Sequence, residues 1–297
     1  MQIAALGRAI AVALVVLVSF MALLLREGTS PSGAGFWTAM APAPDGGLYL
    51  ADEARQQILR IDAAGARVVG IAPAGIYRAL AGDGSDLLLG TESGLFVSTD
   101  GGRGWRFAIP DRRFTAVAIN PGGEWLAGAW DEAIYVSRDR GASWRRATVP
   151  AGDTQFIQVV PGFAATLLGM LHSEDGGLSW SRLPGSGDRM TAVSLTGSMQ
   201  DPIRAGDWYG RIWLYDALDH RFFGAGANCR GGIWSVAKSI VATTAGLCPK
   251  PRSGPALLAD HEVTRLVMSG LKYYAAVARG AIYVSDNGTD WRFAYEP

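Results

Sequence analysis

One eight-residue pattern recurs along this 297-residue chain and constrains its fold more than any other feature. Ser-x-Asp-x-Gly-x-x-Trp is written at Ser98, Asp100, Gly102 and Trp105, at Ser137, Asp139, Gly141 and Trp144, and at Ser173, Asp175, Gly177 and Trp180. A fourth copy near the C-terminus keeps Asp286, Gly288 and Trp291 but reads with Val284 in the serine position. Apolar residues precede the copies, as in Ile134, Tyr135 and Val136 or Ile282, Tyr283 and Val284. An aspartate accepts hydrogen bonds from backbone N–H groups two or three residues on, and glycine supplies the positive φ of a tight turn. The pattern therefore reads as a hairpin turn, with a strand before it and a second strand opened by the tryptophan. Such a tryptophan would pack over its own turn and against the neighbouring unit.

Spacing sets the architecture. The tryptophans lie 39 and 36 residues apart, and the remaining gap of 111 is three steps of 37. A period near 40 with several short strands per unit is the mark of a propeller blade. Two further blades are expected between Trp180 and Trp291, and strand-like runs without the pattern occur at 204–224 and 232–247. Second strands are expected to begin near 48, 87, 125, 163, 203, 239 and 273, which gives seven blades. The sixth is irregular: after its second strand come CPKPRSGP and the short ALLAD. Both terminal blades hold all their own strands, so ring closure is expected to rest on side-chain packing between blades one and seven.

The repeated turn resembles the Asp-box of sialidases and of many non-enzymatic β-propellers. The resemblance implies a fold and says little of function, because Asp-boxes generally staple hairpins away from the binding face.

Residues 1–35 stand apart. From Ala9 to Leu25 nothing is more polar than Ser19, and an apolar helix of about 3–25 approaches the ~20 residues that span a bilayer. The expected organisation is an anchor at 1–27, a linker at 28–35 and a propeller at 36–297. The fold class is thus an all-β seven-bladed propeller preceded by one transmembrane α-helix. Arg8 and the terminal amine favour a cytoplasmic N-terminus and a periplasmic propeller on a bacterial inner membrane. A cleaved signal peptide with Gly28 and Ser30 at its cleavage site is the rival. Acidic and basic residues balance at 27 each, so no bulk charge calls for nucleic acid.

Cys229 precedes the first strand of blade six and Cys248 follows its second, so a disulfide or two free thiols are both open. A disulfide closing a loop of this length is worth about 3 kcal/mol in the chain-entropy model.

Loops on the face opposite the repeated turns offer Asp52, Glu53, Glu92, Asp131, Glu132 and Asp207, with Trp130, Trp208 and Tyr209 among them. Blade connections add Arg112, Arg113, Arg189, Arg230 and His261. Acids with aromatics between them would form a recognition surface at the channel mouth, since aromatic residues are enriched in interfaces. Alternatively, these tips are polar because they are wet. Enzyme readings are thin: the arginine element that sialidases carry near their start is missing, and short loops leave little room for an active site. The three histidines, His172, His220 and His261, fall in different blades, so no metal or other cofactor is expected. Asn287-Gly288-Thr289 fits a glycosylation acceptor but is embedded in the fourth turn.

The propeller as a whole is similar to the photosystem assembly and stability factor family, compact Asp-box propellers that bind membrane-protein subunits. That family's arginine patch does not align here. The resemblance implies a non-catalytic accessory subunit or assembly factor of an integral-membrane complex, photosynthetic reaction centres and light-harvesting complexes included. Its partners would be that complex and the lipid bilayer. The alternatives are a sialidase-like glycosidase and a soluble periplasmic module binding glycan or protein.

Overall fold

The computed structural model describes residues 39–296 apart from 122, 131, 154, 195–202, 250–252, 255 and 279. The expected anchor, the linker, residues 36–38 and Asp131 lie outside the described residues. Among the described residues no helix is long and apolar enough to cross a membrane.

Seven antiparallel sheets succeed one another along the chain, each with its strands in sequence order. They cover 40–71, 77–110, 114–146, 156–182, 190–228, 233–248 and 263–295. The chain is an all-β, seven-bladed propeller. Second strands begin at Leu48, Asp86, Trp125, Phe163, Arg204, Ile240 and Lys272, each within one residue of expectation. These strands carry apolar side chains on both faces. In blade two, Leu87, Leu88 and Leu89 are all fully buried, because a blade is covered on each side by a neighbour. Blade six has three strands among the described residues, and ALLAD folds as the helix Ala256–Asp260. Leu258 of that helix is fully buried. Gly246 lets the helix backbone come close: a Cβ there would stand 2.6 Å from the Ala259 carbonyl oxygen.

The core is divided among the joints between blades. Seven apolar clusters each join one blade to the next: Phe114 and Trp125 with Leu95 between blades two and three, for example, and Leu48 and Leu50 with Ile282 where blade one meets blade seven. Among the described residues no strand is exchanged at the closure. There the Tyr274 hydroxyl donates to the Gly46 carbonyl at 2.8 Å and the Ser269 hydroxyl to the Ala43 carbonyl at 3.1 Å.

Each repeated turn is a small hydrogen-bonded cage. In blade three the Ser137 hydroxyl donates to Asp139 at 2.8 Å and accepts the Gly141 amide at 2.8 Å. The amide of Ser143 donates to Asp139 at 2.8 Å, and Trp144 Nε1 donates to the Gly141 carbonyl at 3.1 Å. Blades two and four repeat the arrangement through Ser98, Asp100 and Trp105 and through Ser173, Asp175 and Trp180. The turn glycine also presses on the preceding blade. A Cβ at Gly102 would meet Ile58 at 3.1 Å, one at Gly141 would meet Val97 at 2.9 Å, and one at Gly177 would meet Leu126 at 2.6 Å. Gly288 stands against Ile240 in the same way.

The fourth copy corrects the sequence reading. Ser285, not position 284, supplies the hydroxyl: it accepts the Gly288 amide at 2.8 Å and donates to Asn287. Asn287 takes the aspartate's part, accepting the amides of Thr289 and Asp290 at 2.9 Å each. This turn is one residue shorter between serine and glycine, and a template of fixed length slides onto Asp286. Asp286 instead faces outward and pairs with Arg292 at 3.0 Å.

The cages hold their aspartates ionised. Hydrogen bonds from the Ser143 hydroxyl and amide bring the Asp139 carboxyl down to about 2. Ser179 does the same for Asp175, also to about 2. Since the ordinary value is ~3.9, the stabilisation is complete above about pH 4 and is lost as pH falls toward 2. Thermal unfolding from pH 5 to pH 2 is expected to show a steeper loss of Tm in the native protein than in the Asp139→Asn, Asp175→Asn double variant. Parallel curves would contradict it.

Candidate interaction face and channel

The face opposite the repeated turns carries a second repeat that the sequence reading missed. Each second strand meets its third there, and in four blades the strand ends in Thr or Asp followed three residues later by Gly: Thr91, Thr166, Asp207 and Thr243. Thr91 Oγ1 accepts the amides of Ser93 and Gly94 and donates to the Gly94 carbonyl. Thr166 and Thr243 close their turns alike. The 36–41-residue spacing of the last three was the available signal, and threonine is common enough in strands to hide it.

Asp52 and Asp207, expected either as recognition acids or as wet loop tips, are not solvent-facing tips. Both are fully buried. Asp207 accepts the Tyr209 and Arg211 amides at 2.9 Å each, Trp213 Nε1 at 2.9 Å and Arg211 Nε at 2.5 Å. Asp52 accepts the Arg55 amide and pairs with its guanidinium, both at 3.0 Å. Glu92 is held between Arg78 and Arg113, the latter at 2.7 Å. Glu132 pairs with Arg112 at 2.6 Å and accepts the Tyr135 hydroxyl. Exposed Glu53 accepts the Tyr77 amide at 2.9 Å at the start of blade two, and the other described acids expected on this face are matched by arginines or turn amides.

Aromatic groups remain presented. Tyr209 is half exposed, with the guanidinium of Arg211 4.9 Å and that of Arg189 5.9 Å from its ring centroid. Trp208 stands edge-on to Trp234 at 5.1 Å, and Trp234 Nε1 donates to Glu262. The Trp130 amide donates to the Arg113 carbonyl, and Arg230 is exposed.

The first strands enclose a cavity of about 330 Å³ on the propeller axis. Its walls are mostly aliphatic, with Leu80, Val117, Val159 and Val193 among them, and its ionisable side chains are Arg265 and Lys238. A register shift between Val263 and Arg265 lies at the start of blade seven's first strand, a device that re-aims side chains. Arg265 Nε is buried with no hydrogen-bond partner. Burial, with no acid opposing it, pushes the guanidinium below its ordinary value. The sequence reading did not single out Arg265, because a lone arginine in a strand carries no local mark.

The expectation that metal ligands are scattered also needs correction. His172 and His220, in blades four and five, come together with Glu174, their ligand atoms all within 4.8 Å of one another. Cys229 and Cys248 form a disulfide with Cα atoms 5.9 Å apart, and Cys248, after the second strand of blade six, ends the third.

No family model and no curated protein matches the chain. Among solved structures it is similar to an ancestral GH74 enzyme, with 15% identity and a TM-score of 0.69 over 90% of this chain and 47% of that one. It is similar to the GH74 enzyme of Niastella koreensis, with 14% identity and a TM-score of 0.65 over 89% and 55%. It is also similar to YCF48 bound to D1 peptide, with 13% identity and a TM-score of 0.51 over 88% and 82%. The chain spans about half the length of the two GH74 chains and most of the YCF48 chain. At these identities the likeness is one of fold.

Removing the Asp207 carboxylate leaves two amides and an indole N–H without their acceptor. Asp207→Ala is expected to lower the unfolding free energy by about 2–3 kcal/mol in urea denaturation. An unchanged midpoint would return Asp207 to a recognition role.

Proposed function

We propose that the protein is a non-catalytic binding propeller, tethered through residues 1–27 to a bacterial inner membrane, that serves as an accessory or assembly subunit of an integral-membrane complex. The observation that carries this reading is the axial cavity, aliphatic in its walls and cationic through Arg265. Arg265 is half-buried in the cavity wall with its Nε enclosed and unpartnered, and a carboxylate on an apolar peptide segment would pair with its guanidinium there. Exposed Tyr209, flanked by Arg189 and Arg211, would extend the contact at the mouth.

Two further points support a binding role. YCF48, a propeller of similar extent, was solved with a D1 peptide, which favours a segment of a membrane-protein subunit as the ligand here and a photosynthetic complex as its source. A glycosidase places two carboxyl groups about 5–9.5 Å apart across the scissile bond with their reactive oxygens free. The described acids expected on this face are instead engaged by arginines and backbone amides.

Gentle solubilisation of membranes, native separation and mass spectrometry of what co-migrates test the proposal. The expected result is migration in a large complex with residues 1–27 still attached. Migration as a lone chain would contradict it.

A further inference from the structure

The joints between blades are not closed in the same way. At the joints of blades one and two, two and three, three and four, and six and seven, a repeated turn lays its glycine on the preceding blade. Blade five has no such turn, and its third and fourth strands are joined through Asp216–Arg221 by a plain hairpin. Blade six has none either, but the Cys229–Cys248 disulfide links the end of blade five to blade six. Two joints have neither staple: that of blades seven and one, which carries the Tyr274 and Ser269 hydrogen bonds, and that of blades four and five. The latter is where His172, Glu174 and His220 meet.

The residues arrive from both sides of the joint. His172 ends the third strand of blade four, and Glu174 occupies the variable position of the Ser173-x-Asp175 turn. Ser173 and Asp175 are engaged in the cage, whereas Glu174 projects into solvent. His220 stands in the blade five hairpin with φ of 47°, a left-handed conformation that few non-glycine residues adopt and that is worth a functional explanation. The nearest His172 and Glu174 atoms are 3.8 Å apart, those of His220 and Glu174 3.9 Å. Tyr215 places its hydroxyl 3.3 Å from His220 Nδ1, and the His172 ring leans on Phe163 with centroids 4.8 Å apart.

We propose that His172, Glu174 and His220 form a binding site for a zinc-type divalent cation that clips blade five to blade four where the repeated turn is missing. Two imidazoles and a carboxylate are a borderline donor set, suited to Zn²⁺ over Ca²⁺ or Mg²⁺. Tetrahedral zinc with ligands at about 2.0–2.1 Å sets its donor atoms roughly 3.4 Å apart. Small rotations of two exposed side chains close the present spacing to that value. Water would fill the fourth position, since His220 and Glu174 face solvent. The Phe163 and Tyr215 rings fix His172 from behind and orient it toward the joint.

The test uses the full-length protein in detergent, stripped of metal with a chelator and titrated with ZnCl₂ by calorimetry. Hydrogen exchange is followed with and without the ion. One equivalent is expected to bind. His220→Ala and Glu174→Gln, both at exposed positions, are expected to weaken binding at least ~100-fold, while His261→Ala leaves it unchanged. Zinc is expected to slow exchange at 216–221 and at 169–174. Binding that survives both His220→Ala and Glu174→Gln, or no binding at all, would overturn the site. Binding without slower exchange in the blade five hairpin would overturn the clip.

Discussion

The structure depends on packing between adjacent blades. A four-stranded antiparallel sheet with apolar residues on both faces cannot bury itself, and each blade is covered only by its two neighbours. The seven apolar clusters at the seven joints are the physical form of that dependence. The repeated turns belong to the joints as much as to their own hairpins, because the positive-φ glycine lies where any Cβ would strike the preceding blade. The cluster between blades five and six joins only a few side chains, Ile233, Val236 and Val241 with Ala192 and Cys229 among them, and it is the joint that a disulfide crosses.

Much of this was legible in the chain. Four tryptophans at multiples of about 37 give the blade count, and strand starts follow from it. What failed did so for local reasons. The fourth turn is shorter by one residue, so a fixed template finds Asp286 where the cage uses Asn287. Asp52 and Asp207 look like exposed loop acids because a sequence shows charge but not burial, and only the Thr-x-x-Gly equivalents in other blades reveal them as turn closers. His172 and His220 are 48 residues apart in the chain. They become neighbours only once equivalent hairpins of consecutive blades are superposed, a comparison that the irregular fifth blade obscures.

Carboxylates on both faces are engaged within the protein. On the face of the repeated turns, carboxylates accept backbone amides and hold hairpins. On the opposite face, carboxylates are matched with Arg55, Arg78, Arg112, Arg113 and Arg211, so charge there is mostly spent on the protein itself. Arg265 departs from that rule. It is a half-buried cation in the wall of the axial cavity, whose described lining is mostly aliphatic and holds no acid. Under the binding role proposed above, a carboxylate on the ligand would pair with it.

The most direct measurement is therefore a comparison of Arg265→Met with the native protein, by chemical denaturation and by association with the membrane partner. The expected variant is at least as stable as the native chain and no longer associates. A variant that is less stable yet associates as before would contradict it, and would make Arg265 a structural residue of blade seven.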